Sequence, residues 1–307
     1  MADATPRADF YDDLRRHGFM GGWNRPEPSL WPSPRPRLKP HVWRFAAARA
    51  ALEEAGGFVP MEMTERRNLI LVNPAEGNAY PSVRNLVAAY QMIRPGEHAR
   101  SHRHTPNALR LVIESTGGCY TVVDGTRLDM VEGDVLLTPN WAWHGHAHEG
   151  SATAYWIDFL DVPFIQHMEA MFLEHHPDGF EPVRAAATQS PYRIPTGAVL
   201  AGATGAVRRV EIAAGVMRTI GLYVLGLAPG VATPRHRSTA NSLYAVAAGR
   251  AAIKIEDEPP IELGLGDVAA VPCWHRYSIT GQTDAVLLRV TDEPLMASLD
   301  LLRTEPG

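Results

Sequence analysis

Apolar and polar positions in the first quarter of this chain follow a helical beat, and further on they follow the shorter beat of strands. Helical spacing marks Phe10 to His17 and again Val42 to Glu54, "VWRFAAARAALEE", where Gly56-Gly57 supplies a stop. Between these helices "NRPEPSLWPSPRPRLKP" holds too many prolines for anything but extended chain. Trp23, Trp31 and Trp43 punctuate this arm, and rings of that size predict packing on the body or on a partner subunit. From Asn68 to about Leu160 the runs shorten to "LILVN", "LVAAYQMI", "ALRLVIE", "CYTVVD", "DVLLTP" and "ATAYWIDFL". Pro95-Gly96, Asp124-Gly125 and Gly133-Asp134 turn several of them back, which predicts an antiparallel sandwich or small barrel. A polar stretch from Phe164 to His176 reads as a helical connector, with a loop to about Gly205, and strand-like runs resume from Met217 to Thr291.

The second block of strands echoes the first. "PGEHARSHRHTPNALRLVIESTGG" compares with "PGVATPRHRSTANSLYAVAAGR", and "VEGDVLLTPNWAWH" with "GLGDVAAVPCWHRY". Each block places a histidine six residues after Pro-Gly, then Gly-Asp, then Pro-x-Trp. Such a repeat implies two copies of one β-barrel. The organisation is therefore an arm over 1–67, a first barrel over 68–163, a connector over 164–205 and a second barrel over 206–307. The copies differ where His104 becomes Ser238 and Tyr277 stands opposite His144, so one surviving site is expected, in the first barrel.

Composition narrows the class without naming it. The 307 residues are 45% hydrophobic and 21% charged, ordinary for a globular protein with a full core. A net charge of −5 gives no footprint for nucleic acid or an anionic membrane. No apolar run is long enough to span a bilayer, and "MADATPRADFYDD" lacks the apolar stretch of a signal peptide. Cys119 and Cys273 are far apart in sequence, so a disulfide framework is not expected and a reducing cytoplasm is.

Candidate chemistry sits in the histidines, six of which fall between His98 and His148. Alternation puts His102 and His104 on one face of a strand, and the turns at "VVDGT" and "VEGDV" bring a neighbouring strand with His144 beside them. Three neutral imidazoles without a cysteine suit Fe, Mn, Ni or Zn and leave coordination positions open. Arg110, at even spacing from His102, shares the ligand face and could hold a carboxylate. His146, two residues past His144, suits an acid or base near neutral pH. His148, His167, His175 and His176 read as solvated, Trp141 and Trp143 as packing at the barrel mouth, and His236 as structural.

The spacing Gly96-x5-His102-x-His104, then Gly133-Asp134…Pro139…His144, resembles the two cupin motifs, without the glutamate common beyond the second histidine: Asn107, Ala108 and Leu109 fill that stretch. "ERRNLILVNP", "HRHTPNALRLVIE", "YTVVDG" and "GDVLLTPNWAWHGH" resemble more specifically the gentisate 1,2-dioxygenase group, which includes salicylate and 1-hydroxy-2-naphthoate dioxygenases. That resemblance implies a mainly all-β bicupin of two tandem jelly-roll-like barrels in a homo-oligomer, dimer or tetramer. It implies Fe(II) on His102, His104 and His144, and O2-dependent ring cleavage between the carboxyl-bearing and hydroxyl-bearing carbons of gentisate or a related salicylate. Positions matching Gln91, Arg110, His146 and Asp158 line the substrate pocket in that group, and Arg66 or Arg67 matches an arginine that reaches it. The chain departs from the pattern at Val87 and Ala89, where an aromatic residue and glycine are usual, and at Gly145, where Asp is usual. These departures point away from gentisate itself and toward a 5-substituted salicylate. Two further readings stay open from the residues alone: a cupin isomerase or decarboxylase with another metal, and a non-catalytic binder of aromatic acids.

Overall fold

The computed structural model describes residues 8–60 and 67–307, so Arg66 lies outside the described residues. Residues up to Arg35 form a unit of their own. It contains the helix Ala8–Arg16 and one 3-10 turn, Gly22–Asn24. Within it the Trp23 indole donates to the Tyr11 hydroxyl at 3.2 Å, and the Arg35 guanidinium lies over the Trp31 ring.

Pro36–Gly307 holds two barrels, each made of two sheets. In the first barrel one sheet runs Arg193–Pro195, Asp134–Thr138, Ala108–Glu114, Ala154–Leu160, Val87–Ile93, Arg67–Ile70. Its other sheet runs Leu173–His175, His98–His104, His144–His148, Cys119–Val123, Thr126–Asp129, Ala185–Ala186. The second barrel repeats the plan, with His41–Trp43, Val268–Val271, Ser242–Ala248, Ala285–Thr291, Gly221–Leu227 and Val207–Ile212 in one sheet. Ile261–Leu263, Ala251–Ile255, Tyr277–Gly281, His236–Ser238 and Thr304–Pro306 form the other.

Strand alternation sorts the side chains. Leu109, Leu111, Ile157 and Phe159 of the first barrel share one hydrophobic cluster with Leu222, Leu243, Leu288 and Val290 of the second. The main core therefore lies between the barrels, where each leucine taken from water contributes about 1.5–3 kcal/mol. The residues between them in sequence, Arg110 and Asp158 in one barrel and Tyr244 and Arg289 in the other, turn to the opposite face and into the barrel interiors.

The chain crosses between the barrels reciprocally. His41–Trp43, ahead of both, pairs with Val268–Val271 of the second barrel, while Arg193–Pro195, from the connector, pairs with Asp134–Thr138 of the first. The repeated Gly-Asp motif explains both attachments. Gly133 and Gly266 take φ of +81° and +76°, values glycine adopts without strain, and the following aspartate grips the visiting segment. Asp134 accepts from Arg193 at 2.6 Å; Asp267 accepts from the Phe45 backbone N–H at 2.9 Å and pairs with Arg44 at 2.7 Å.

The connector differs from the helical expectation. Helix occupies Val162–His167 and the single turn Thr196–Val199, whereas Leu173–His175, Ala185–Ala186 and Arg193–Pro195 are extended and added to sheet edges of the first barrel. Edge strands offer unpaired N–H and C=O groups that an extended segment satisfies and a helix cannot.

Two buried aspartates brace the barrels to each other. Asp161 accepts from the Asn107 backbone N–H at 2.8 Å and its amide at 3.1 Å, and from the hydroxyl of Thr219, which enters the second barrel. Asp292 accepts the matching bonds from Asn241 at 2.6 and 2.7 Å, and a third at 2.7 Å from Asn85, which enters the first. Burial holds both carboxyls above their ordinary pKa, against the opposing pull of these donors. Removing one partner of such a buried bond costs about 1–3 kcal/mol. Asp161→Asn, which sets an amide against three donors, should lower the urea midpoint by more than Thr219→Val, and an unchanged midpoint in both would remove this brace from the account.

Candidate metal centre

His102 and His104 project from one face of His98–His104, and register sets His144 on the adjacent antiparallel strand directly beside His102. Ring centroids are 4.5 Å apart for His102–His144, 4.8 Å for His104–His144 and 5.6 Å for His102–His104. One ligand nitrogen from each lies within 4.8 Å of the others, the one such group among the described residues. Each ring is oriented by a backbone carbonyl at Nδ1: Arg100 at 3.3 Å, Pro106 at 2.8 Å and Ala142 at 3.1 Å. Those bonds assign the proton to Nδ1 and leave Nε2 as the electron-pair donor, the arrangement a metal-binding imidazole needs. The His144 Nε2 is buried with no partner, and burial, with the nearby charge of Arg110, holds this histidine well below its ordinary pKa. A convergent imidazole set, with its Nδ1 atoms held by carbonyls and its His144 Nε2 buried, fits a divalent metal.

The wall beside the triad is built on strand parity. Val87, Ala89 and Gln91 occupy alternate positions of Val87–Ile93; Asp158 is registered against Ala89 on one side and Arg110 on the other. The buried Asp158 carboxylate organises the group. It accepts from Gln91 Nε2 at 3.0 Å and from the Trp156 indole at 2.8 Å, and its oxygen lies 3.4 Å from Arg110 Nε. Arg110, 1% exposed, also donates from Nη1 to Thr138 at 2.6 Å. Turning the Gln91 amide nitrogen toward Asp158 leaves the Gln91 Oε1 buried without a partner. His146 follows on the triad face, its ring 6.4 Å from His144 and 5.5 Å from Trp156. Sequence reading missed Trp156 and Thr138; both keep the inward parity of Asp158 and Arg110, a signal visible once the strands are fixed.

Several expected residues stand elsewhere. Arg67 is an ion-pair residue: its guanidinium grips Glu97 at 2.7 and 2.9 Å and the Val59 carbonyl at 2.7 Å, which commits it to holding a turn instead of a substrate. Gly145 faces outward beneath the connector, where an added Cβ would stand 2.5 Å from Ser101 Oγ, so its departure from the family pattern follows from packing. His148 is buried and pins the loop after its strand through the Gly150 N–H and the Ala152 carbonyl. His176 is half-buried against Trp143, with ring centroids 4.9 Å apart, whereas His167 and His175 are exposed. Trp141 and Trp143 sandwich Arg103 at 4.7 and 4.5 Å, and Arg103 pairs with Glu174 of the connector. This clamp seats the strand Leu173–His175 alongside His102 and His104.

The second barrel keeps the frame and loses the ligands. His236 is registered against Tyr277 as His102 is against His144, and Ser238 holds the place of His104.

A cupin domain model matches residues 89–160. The chain is 30% identical to a 5-aminosalicylate 1,2-dioxygenase of Comamonas sp. over 96% of this chain and 89% of that protein. It is equally 30% identical to a 1-hydroxy-2-naphthoate 1,2-dioxygenase of Nocardioides sp. strain KP7, over 89% of this chain and 80% of that one. The fold superposes on the salicylate 1,2-dioxygenase of Pseudoaminobacter salicylatoxidans, in its adduct with gentisate, with a TM-score of 0.89 at 26% identity, covering 100% of this chain and 96% of that one.

His104→Ala should abolish retention of metal after purification and desalting, and His236→Ala should leave it intact, read as metal per chain by plasma mass spectrometry. Loss of metal in the second variant would break the assignment of one site.

Proposed function

The chain belongs to the gentisate and salicylate 1,2-dioxygenase group of bicupins, a family of ring-cleaving oxidoreductases, and we propose that it opens a 5-substituted salicylate or gentisate using Fe(II) and O2. The observation that carries this reading is the adjacency, inside one barrel, of three convergent imidazoles and a buried arginine. The triad His102, His104 and His144 would hold the metal. Fe(II) supplies, when bound, a Lewis-acidic and electron-donating centre with positions left over by three protein ligands, the chemistry that joins O2 to a phenolic ring.

The remaining work falls to side chains. A substrate carboxylate meets Arg110, whose charge lies on the triad face and whose plane is fixed by Asp158 and Thr138. Holding that end places the adjacent phenol toward the triad, which turns an encounter into a positioned reaction. His146 lies next along the strand, where an imidazole accepts the phenolic proton and returns it to the product. Gln91 presents its carbonyl oxygen to a substrate hydroxyl, since its amide is held by Asp158. Asp158 acts through Arg110 and Gln91, as a positioning residue. Val87 and Ala89 bound the ring: the first leaves room where an aromatic side chain would stand, and the second removes some where glycine would.

The exposed apolar residues Met168, Met171, Phe172, Leu173 and Phe180 of the connector support a homo-oligomer that covers them. Two free cysteines accord with work in a reducing cytoplasm.

The decisive experiment reconstitutes the metal-free protein with Fe(II) under nitrogen, then follows O2 uptake and ring-fission absorbance with gentisate, salicylate and 5-substituted salicylates. Turnover without oxygen, or binding with neither oxygen uptake nor ring opening for any member of the panel, would overturn the reading. Ala89→Gly should shift the ratio of kcat/KM between 5-substituted and plain salicylate by about tenfold, the scale of one methyl group in a pocket. Arg110→Gln should lower kcat/KM by about 10–100-fold, mostly through KM, for the loss of a charge-assisted bond of roughly 1.5–3 kcal/mol.

A further inference from the structure

The second barrel is hollow where the first carries its metal site. A cavity of about 400 Å³ opens there, within the size range of small-molecule pockets. Its polar lining is His236, Ser238, Tyr244, Tyr277, Arg289, Arg209 and Glu293, together with Thr233 and Thr304 at the rim.

Charged groups gather on one side of the cavity. Arg289 is 6% exposed and donates to Glu293 at 2.7 Å; Arg209, half-exposed at the mouth, reaches the same carboxylate at 3.8 Å. Two guanidinium groups thus share one glutamate, and both stack on the Tyr223 ring, at 5.3 and 3.9 Å. Glu211, registered against Tyr223, adds a second and exposed carboxylate, so the cluster is not over-charged. What it offers an anion is the guanidinium of Arg209, whose contact with the Glu293 carboxylate is at 3.8 Å. The donors agree in sign. Tyr244 and Tyr277 hydroxyls meet at 2.6 Å, so one proton is shared between them and the other is left to point at a ligand. Burial raises Tyr244 well above its ordinary pKa and keeps it a donor. The replacement of two imidazoles by Ser238 and Tyr277 removes the neutral nitrogen set that favours a cation. Val207, Leu225 and the tyrosine rings supply an apolar wall.

We infer that the cavity of the second barrel binds an organic monocarboxylate with a small aromatic or apolar body, its carboxylate between Arg209, Arg289 and the tyrosine pair. The ligand class is set by the guanidinium groups, the hydroxyl donors and the wall together, and the site is separate from the triad.

The test is fluorine NMR of 4-fluorobenzoate with the full-length, metal-loaded protein under nitrogen. Two saturable bound signals are expected, one from each barrel. Arg110→Gln should weaken one, while Arg209→Gln and, independently, Tyr277→Phe should each weaken the other at least tenfold. Arg289 is avoided, because removing it would strand Glu293 inside the barrel. Benzylamine, of similar shape and opposite charge, should displace neither. The inference fails if no bound signal responds to Arg209→Gln or Tyr277→Phe, or if Arg110→Gln alone removes all binding. Displacement of the second signal by inorganic phosphate at the same concentration as benzoate would make the cavity a general anion site and overturn the carboxylate assignment. Failure of the ring-cleavage reading would leave the second signal in place, so the two outcomes are distinguishable.

Discussion

Alternation on four strands decides nearly everything in this protein. Leu109-Arg110-Leu111 and Ile157-Asp158-Phe159 in one barrel, Leu243-Tyr244-Ala245 and Leu288-Arg289-Val290 in the other, send apolar groups to the seam and polar groups inward. A slip of one residue in any of them would set an arginine, aspartate or tyrosine into the seam and an apolar side chain into a barrel interior. Shared packing and the site are therefore one specification. The seam fixes register, and register fixes where Arg110 and Asp158 stand.

Much of this could be read from residues alone, because it is periodic or repeated. His102 and His104 share a face by parity, the turns between the strands bring His144 beside them, and the internal repeat sets Ser238 and Tyr277 where the second copy would need imidazoles. What could not be read was set by contacts distant in sequence. Nothing near Arg67 announces that Glu97 will occupy it, nor near Gly145 that Ser101 and the connector will crowd it. His148, next after His144 and His146 in the alternation, reads as solvated until the returning loop closes over it. The connector misled because polar, apolar-flecked sequence suits a helix equally well, and only the open sheet edges beside it decide for extended chain.

Comparison of the copies separates what the frame requires from what the chemistry requires. Both keep the Gly-Asp anchor, the bracing Asn–Asp pair and a rim tryptophan at φ of 64°. Both also keep an arginine stacked on that tryptophan and paired with a glutamate of an added edge strand: Arg103 with Glu174, Arg237 with Glu305. At the seam, apolar residues replace apolar ones, as in Leu111 and Ala245 or Phe159 and Val290, whereas inward side chains change in kind: imidazoles gave way to hydroxyls and an acid to an arginine. Interior positions of a barrel can change in this way because they do not carry the seam.

The crossing of His41–Trp43 and Arg193–Pro195 has a bearing on the ancestry of the molecule. Cutting the gene between its halves would strip each product of a border strand and expose a flank built to be covered. Neither half is then free to be shuffled into another protein or lost by deletion. A copy without the imidazole triad can persist for that reason alone, as tied scaffolding.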